Sequence, residues 1–265
     1  MNKQNRKAAG ARSGYAPING IMMYYEIHGS GKPVVLIHGG GSTIQTTFGN
    51  VLPLLAKNRE VIAVELQAHG RTSDRDQPES FTQDADDVAA LLTYLGIARA
   101  DLFGFSNGGN TAMQVAIRHP ELVRKLVIAS AFYKREGMVE GFFKGLAHAT
   151  IDDMPAYLKE DFLRVTPDQG KLQNMFEKDK ARMVNFEDWD EEELACIKAP
   201  ALIIMGDRDV MKVAHGAAIA EKITGAELLV VPGGHGSFIG EASDENRGGK
   251  LLPFTVAVIE DFLEK

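Results

Sequence analysis

The sequence contains little cysteine and tryptophan, and it has no long apolar run. Cys196 is the one cysteine among 265 residues, which excludes an intrachain disulfide and a thiolate-rich metal site. A lone cysteine suits a reducing compartment, so we expect a cytoplasmic protein. No apolar stretch approaches the roughly 18 residues that are needed to span a bilayer. We therefore expect no membrane partner.

Basic residues are fewer than acidic residues in this chain. Lys and Arg number 29 against 36 Asp and Glu, which gives a net charge of −7. This balance disfavours nucleic acid as a partner. Charged residues make up 25% and hydrophobic residues 45% of the chain, a composition that is ordinary for a globular protein and that argues against wholesale disorder. The length fits one large domain or two small ones.

The first 14 residues are basic and carry no acid. Lys3, Arg6, Lys7 and Arg12 lie in this stretch, and no apolar segment of signal-peptide length follows it. A secretory signal is therefore not expected. We predict that residues 1–14 form a disordered basic tail.

Short apolar runs alternate with helical patterns along most of the chain. Asn19-Gly20 separates two β-like runs and predicts a hairpin over residues 15–27. Unalternating apolar runs favour strands that are buried on both faces. The alternation predicts an α/β fold, with a mostly parallel twisted sheet and helices on both faces. The further predicted strands are 33–37, 61–64, 101–105, 126–130, 201–205 and 228–231, and the predicted helices are 48–56, 81–95, 108–118 and 252–263.

Residues 132–198 interrupt this alternation. They contain several helical patterns and no good strand, and they end in an acidic run between residues 187 and 193. We predict a small helical cap here, inserted over one end of the sheet. The core would then comprise residues 15–131 and 199–265.

Residues 104–108 read G-F-S-N-G, with an apolar strand before them and a helix after them. A sharp strand-to-helix turn pushes a serine out of the sheet, where a base can reach it. The two glycines allow the backbones of residues 104 and 108 to approach each other. The start of the helix also directs free N–H groups at a developing negative charge. Ser106 is therefore a candidate nucleophile.

Four motifs in order resemble the α/β-hydrolase superfamily, over about residues 15–265. H-G-G-G at 38–41 is similar to its oxyanion loop, and 104–108 to its nucleophile elbow. L-I-I-M-G-D-R-D at 202–209 resembles the acid strand and turn, and V-P-G-G-H at 231–235 the histidine loop. The resemblance, which is to small carboxylesterases and lactonases, implies a Ser-Asp-His triad in that chain order.

The resemblance assigns a role to individual residues. It implies Ser106 as nucleophile, His235 as base and Asp209 as the acid that orients the base, with Asp207 as the alternative acid. His38 is the nearest alternative base. The implied oxyanion hole is formed by the N–H groups of Asn107 and Gly40, with Gly39 as second choice for the latter.

One loop departs from the superfamily. After the second buried strand, relatives often carry Pro-Asp and then a glycine, where this chain has Val64, Glu65 and Ala68. This loop usually has a structural role, so the departure leaves the triad prediction unchanged. It is expected to reshape the floor of the pocket.

The expected substrate is a small, largely apolar carboxylic ester or lactone, cleaved through an acyl-enzyme without a cofactor or a metal. A serine at the elbow argues against the dehalogenase and epoxide hydrolase branches, which use aspartate there. The same triad also serves C–C bond hydrolysis, cofactor-free perhydrolysis and slow-turnover small-molecule receptors. These alternatives stay open at the level of sequence, as does the oligomeric state.

Overall fold

Eight strands form a single sheet in the computed structural model, which describes residues 11–265. The strands are β1 (Arg12–Ile18), β2 (Ile21–Gly29), β3 (Lys32–Ile37), β4 (Arg59–Val64), β5 (Ala100–Phe105), β6 (Val123–Ala129), β7 (Ala201–Gly206) and β8 (Glu227–Val231). They lie in the order β1-β2-β4-β3-β5-β6-β7-β8. The β1–β2 and β2–β4 pairs are antiparallel and the other pairs are parallel. This confirms the predicted α/β class and the antiparallel hairpin at one edge.

Helices connect the strands and cover the sheet. They are α1 (Ile44–Phe48), α2 (Leu52–Leu55), α3 (Phe81–Tyr94), α4 (Asn107–Arg118), α5 (Phe142–His148), α6 (Ala156–Val165), α7 (Gln169–Val184), α8 (Glu191–Ala195), α9 (Val213–Lys222) and α10 (Leu251–Glu264). Side chains from β3 show that both faces of the sheet are buried. Val35 and Ile37 lie in one hydrophobic cluster, whereas Val34 and Leu36 lie in another on the opposite face, as the two-residue period of a strand requires.

Two predicted boundaries are wrong, and one helix was not predicted. The tail boundary at residue 14 is wrong, because β1 begins at Arg12 and pairs with β2 from that residue onward; residues 1–10 lie outside the described range. The single helix predicted over 48–56 is also wrong, since two short helices separated at Gly49 occupy this region. The α9 helix had no counterpart among the predicted elements.

Residues 132–198 contain α5, α6, α7 and α8, together with short 3₁₀ turns, and none of them pairs into the sheet. We call this stretch the cap segment. In the part of the chain that the structure describes, no helix combines the length and the apolar character needed to cross a membrane.

Candidate active site

The turn between β5 and α4 places Ser106 at the N-cap of α4. Its φ of 54° lies in the left-handed region, which costs a non-glycine residue on the order of 1–3 kcal/mol and is found where the surrounding structure enforces it. A Cβ on Gly104 would overlap the carbonyl of Gly108, and one on Gly108 would overlap the carbonyls of Ile37 and His38. Both glycines are therefore required by the close approach of backbones at this turn.

Ser106, His235 and Asp209 meet above the carboxyl ends of the parallel strands. His235 Nε2 lies 3.1 Å from Ser106 Oγ, and His235 Nδ1 lies 2.7 Å from Asp209 Oδ1. His235 follows β8, with glycines at positive φ on both sides at 233 and 236. The ring also lies 4.7 Å, centroid to centroid, from that of Phe105. Three loops that are distant in sequence thus bring the predicted residues within hydrogen-bond reach.

The Asp209 carboxylate is fully buried and well satisfied. Ser130 Oγ donates to its Oδ2 at 2.5 Å, and the N–H of Met211 donates to Oδ1 at 3.3 Å. Burial alone would raise the pKa of Asp209, but the hydrogen bonds from His235 and Ser130 outweigh it and hold the pKa below its usual value. The group therefore remains a carboxylate that fixes the orientation of the His235 ring.

Asp207, the alternative acid, lies elsewhere. Its Oδ1 accepts a hydrogen bond from the N–H of Gly233 at 2.8 Å and lies 3.6 Å from Arg208 Nε. The side chain is half exposed. Asp207 therefore joins the β7 turn to the histidine loop and does not contact His235.

His38, the alternative base, has both ring nitrogens occupied. Nδ1 donates to the carbonyl of Gly39 at 2.7 Å, and Nε2 accepts from the N–H of Leu66 at 3.1 Å. Complete burial, together with the neighbouring His69, lowers the pKa of His38 to about 3. A neutral ring with no free lone pair cannot accept the proton of Ser106, so His38 has a structural role in this loop.

The glycine loop after β3 lies against the start of α4. The N–H of Gly39 donates to Thr47 Oγ1 at 3.4 Å and that of Gly41 to His69 Nε2 at 3.2 Å. Within residues 11–265, the N–H groups of Gly40 and Asn107 donate to no acceptor. Both donors predicted for the oxyanion hole are thus without an acceptor in the described part of the protein.

A cavity of about 210 Å³ opens beside Gly40 and Gly41. Most of its wall comes from apolar side chains of the cap segment, including Leu146, Met154, Leu158, Met175 and Phe176. Phe132 and Trp189 lie elsewhere, in a separate cluster with Phe81 and Phe186 that packs the cap segment against α3. Only part of the aromatic content of the cap segment therefore faces this cavity.

Sequence reasoning missed two groups at the site. Asp179 of α7 accepts a hydrogen bond from Asn107 Nδ2 at 3.0 Å, and Ser130 donates to Asp209. Neither belongs to a local motif, and their partners are 72 and 79 residues away. Among the described residues, no group of three or more His, Cys, Asp or Glu side chains is arranged to hold a metal ion.

Comparison with known proteins agrees with this architecture. A family model for the alpha/beta hydrolase fold matches residues 32–167. The enol-lactonase from Burkholderia xenovorans LB400, a solved structure, matches at a TM-score of 0.71 and 24% identity, over 95% of this chain and 100% of that one. At this identity, the structural likeness shows the fold alone.

Curated relatives include hydrolases with different substrates. The chain is 28% identical over 235 residues to a putative carbamate hydrolase, RutD, of Azorhizobium caulinodans, a match covering 82% of this chain and 88% of that protein. It is 40% identical over 114 residues to 2-hydroxymuconate semialdehyde hydrolase of Pseudomonas sp. strain CF600, which covers 41% of this chain and 40% of that enzyme.

Proposed function

The chain belongs to the α/β-hydrolase fold family, and on that premise we propose that it is a serine hydrolase of small carboxylic esters or lactones. The observation that carries the proposal is the continuous hydrogen-bonded path from Asp209 through His235 to Ser106. A hydroxyl becomes a nucleophile when an adjacent base accepts its proton and a third group orients that base. This arrangement supports all three roles.

The reaction proceeds through an acyl-enzyme. Ser106 Oγ attacks the carbonyl carbon while His235 Nε2 takes the hydroxyl proton, and the carbonyl oxygen becomes an oxyanion that accepts hydrogen bonds from the N–H groups of Gly40 and Asn107. Collapse expels the alcohol, which receives the proton from His235. Water then attacks the acyl-enzyme with His235 again as base, which releases the acid and restores Ser106.

The cavity supports a small substrate. A volume of about 210 Å³ beside Gly40 is below the roughly 300–1,000 Å³ of typical ligand pockets, and its largely apolar wall suits a short acyl or alcohol chain. The likeness to a protein named as a putative carbamate hydrolase supports hydrolysis at a carbonyl carbon. The likeness to 2-hydroxymuconate semialdehyde hydrolase favours C–C bond hydrolysis as a second candidate.

Steady-state turnover of short-chain p-nitrophenyl esters, lactones and a β-diketone tests the proposal. We expect sustained ester or lactone hydrolysis that Ser106→Ala abolishes and that Ser73→Ala leaves intact, since Ser73 is exposed and its hydroxyl accepts from the N–H of Met22. Turnover of the diketone alone would favour the second candidate. A burst that stops after one equivalent, or no reaction with any substrate, would contradict the hydrolase proposal.

A further inference from the structure

The cap segment places a carboxylate against the oxyanion loop. Asp179 extends from α7, and its Oδ1 accepts hydrogen bonds from Asn107 Nδ2 at 3.0 Å and from Arg182 Nη2. Its Oδ2 lies so close to Gly40 that a Cβ on that residue would overlap it. Asp179 also lines the cavity beside Gly40 and retains 14% exposure of its side chain. Its carboxylate therefore borders this cavity next to Gly40, which is one of the two proposed oxyanion donors.

The two oxygens of Asp179 have different surroundings. Oδ1 is shared by two donors, whereas within the described residues no donor reaches Oδ2. Burial would raise the pKa of Asp179, but the charge of Arg182 outweighs it and lowers the pKa. An ionised carboxylate can only accept hydrogen bonds. The cavity, which Asp153 and Lys180 also line, thus contains one carboxylate oxygen, Asp179 Oδ2, that has no hydrogen-bond donor among the described residues, although the group is ion-paired with Arg182 through Oδ1.

This arrangement is unfavourable for a substrate that is wholly apolar around its carbonyl. A buried acceptor that loses its water without gaining a donor incurs the desolvation cost of the group. A negative charge next to Gly40 and Asn107 also opposes the charge that develops on the carbonyl oxygen. A substrate N–H or O–H beside the carbonyl would remove the desolvation cost of the unsatisfied oxygen. It would also partly screen the repulsion between Asp179 and the developing oxyanion.

We propose that Asp179 is a specificity-determining residue that selects substrates bearing an O–H or N–H donor beside the scissile carbonyl, with the donor hydrogen-bonded to Asp179 Oδ2. The proposal rests on the proposed hydrolase function and narrows its substrate class. The donor can belong to the acyl part, as in a 2-hydroxy ester, or to the leaving group, as in an alcohol with a second hydroxyl. The recognition chemistry is the same in both cases.

Two substrate pairs distinguish these sources. In the first pair, propyl 2-hydroxybutyrate carries the donor on the acyl side, and propyl 2-methylbutyrate carries a methyl group in its place. In the second pair, 2-hydroxyethyl butyrate carries the donor on the alcohol side, and propyl butyrate carries a methyl group in its place. Titration of released acid gives kcat/KM for each ester, and the hydroxyl-to-methyl ratio within a pair is the readout.

We expect the wild-type protein to favour the hydroxyl member of at least one pair, and Asp179→Asn to lower that ratio roughly 10- to 100-fold, since the hydrogen bond involves a charged acceptor. Asp168→Asn is the matched control, because it makes the same change at the N-cap of the same helix, where the side chain accepts from the N–H of Lys171. It should leave both ratios unchanged.

The ratio separates specificity from a purely structural role. If Asp179 served only to hold Asn107 and Arg182, Asp179→Asn would slow both members of each pair equally, and that result would overturn the inference. Calorimetry on Ser106→Ala adds a readout without turnover, in which the hydroxyl ester should bind more tightly than its methyl partner. Ester hydrolysis with no preference for the hydroxyl substrate refutes the specificity role of Asp179 but leaves the proposed hydrolase function standing. If no ester is hydrolysed, the proposed hydrolase function itself is refuted.

Discussion

Two aspartates of one short turn have unequal surroundings. Asp209 is buried and hydrogen-bonded to His235, whereas Asp207 is half exposed and bonded to the backbone of Gly233. Asp209→Asn should lower kcat roughly 10³- to 10⁴-fold because it misorients the base. Asp207→Asn, the matched control, should stay within a few-fold of wild type. Equal losses in steady-state ester hydrolysis, or the reverse order, would refute the assignment of the acid.

The backbone of Ser106 is strained independently of its hydroxyl. At a φ of 54°, glycine is unstrained while alanine keeps the penalty of its Cβ. Ser106→Gly should therefore exceed Ser106→Ala in free energy of unfolding by about 1 kcal/mol. Urea denaturation of the two inactive variants measures the difference. An alanine variant at least as stable as the glycine variant would show that the turn carries no strain.

At the scale of elements, the β5–α4 turn demands close backbone contact. A Cβ on Gly108 would overlap backbone carbonyls of residues 37 and 38, while one on Gly145 in α5 meets no atom within 4 Å. Gly108→Ala should cost several kcal/mol of stability or prevent folding. Gly145→Ala should add about 0.5–1 kcal/mol, because alanine favours a helix interior. Thermal denaturation distinguishes them, and tolerance of Gly108→Ala would contradict the described elbow.

Local patterns explain which elements were predictable. The Asn19-Gly20 turn, the buried strands and the glycines at 104 and 108 each encode their structure within a few residues, so sheet class and elbow follow from the sequence. Ser80 also caps α3 by accepting from the N–H of Gln83, while the Gln83 side chain bonds to Asp87. The division of the predicted helix has local signals that the sequence prediction did not use, because Gly49 is the C-cap of α1 and Pro53 lies in the first turn of α2.

At the scale of the whole molecule, a buried ionic cluster joins the cap segment to the core. Arg182 of α7 donates to Asp84 of α3 at 2.7 Å, lies 3.6 Å from Glu79, and also contacts Asp179. Sequence reasoning did not find this cluster, because its members are up to 103 residues apart (79 to 182) and each carboxylate looks like a solvated one. Long-range pairing of this kind has no periodic signature.

The cluster predicts that the free energy of unfolding falls as pH rises from acidic to weakly alkaline values. Burial raises the pKa of Asp84 to about 7 and that of Glu79 to about 8. Because both folded-state values lie above the unfolded ones, their contribution is complete below about pH 4, is lost progressively as pH rises from there, and is fully lost above the folded-state values of about 7 and 8. We expect the free energy of unfolding to fall on the order of 2 kcal/mol between pH 6.5 and 9.

Urea denaturation across this pH range tests the cluster. The double variant Asp84→Asn, Glu79→Gln should flatten the pH dependence. Asp86→Asn is the control on the same helix, since hydrogen bonds from Arg118 lower the pKa of Asp86 and it does not titrate in this range. A pH dependence that persists in the double variant would place its origin elsewhere.

Covalent labelling shows whether Ser106 is the activated nucleophile. A fluorophosphonate should add one adduct mass per chain, measured by intact mass spectrometry, and peptide mapping should place it on Ser106. Ser106→Ala should remain unlabelled, and Ser73→Ala should label like wild type. Labelling of another serine, or an adduct that persists in Ser106→Ala, would show that Ser106 is not the nucleophile.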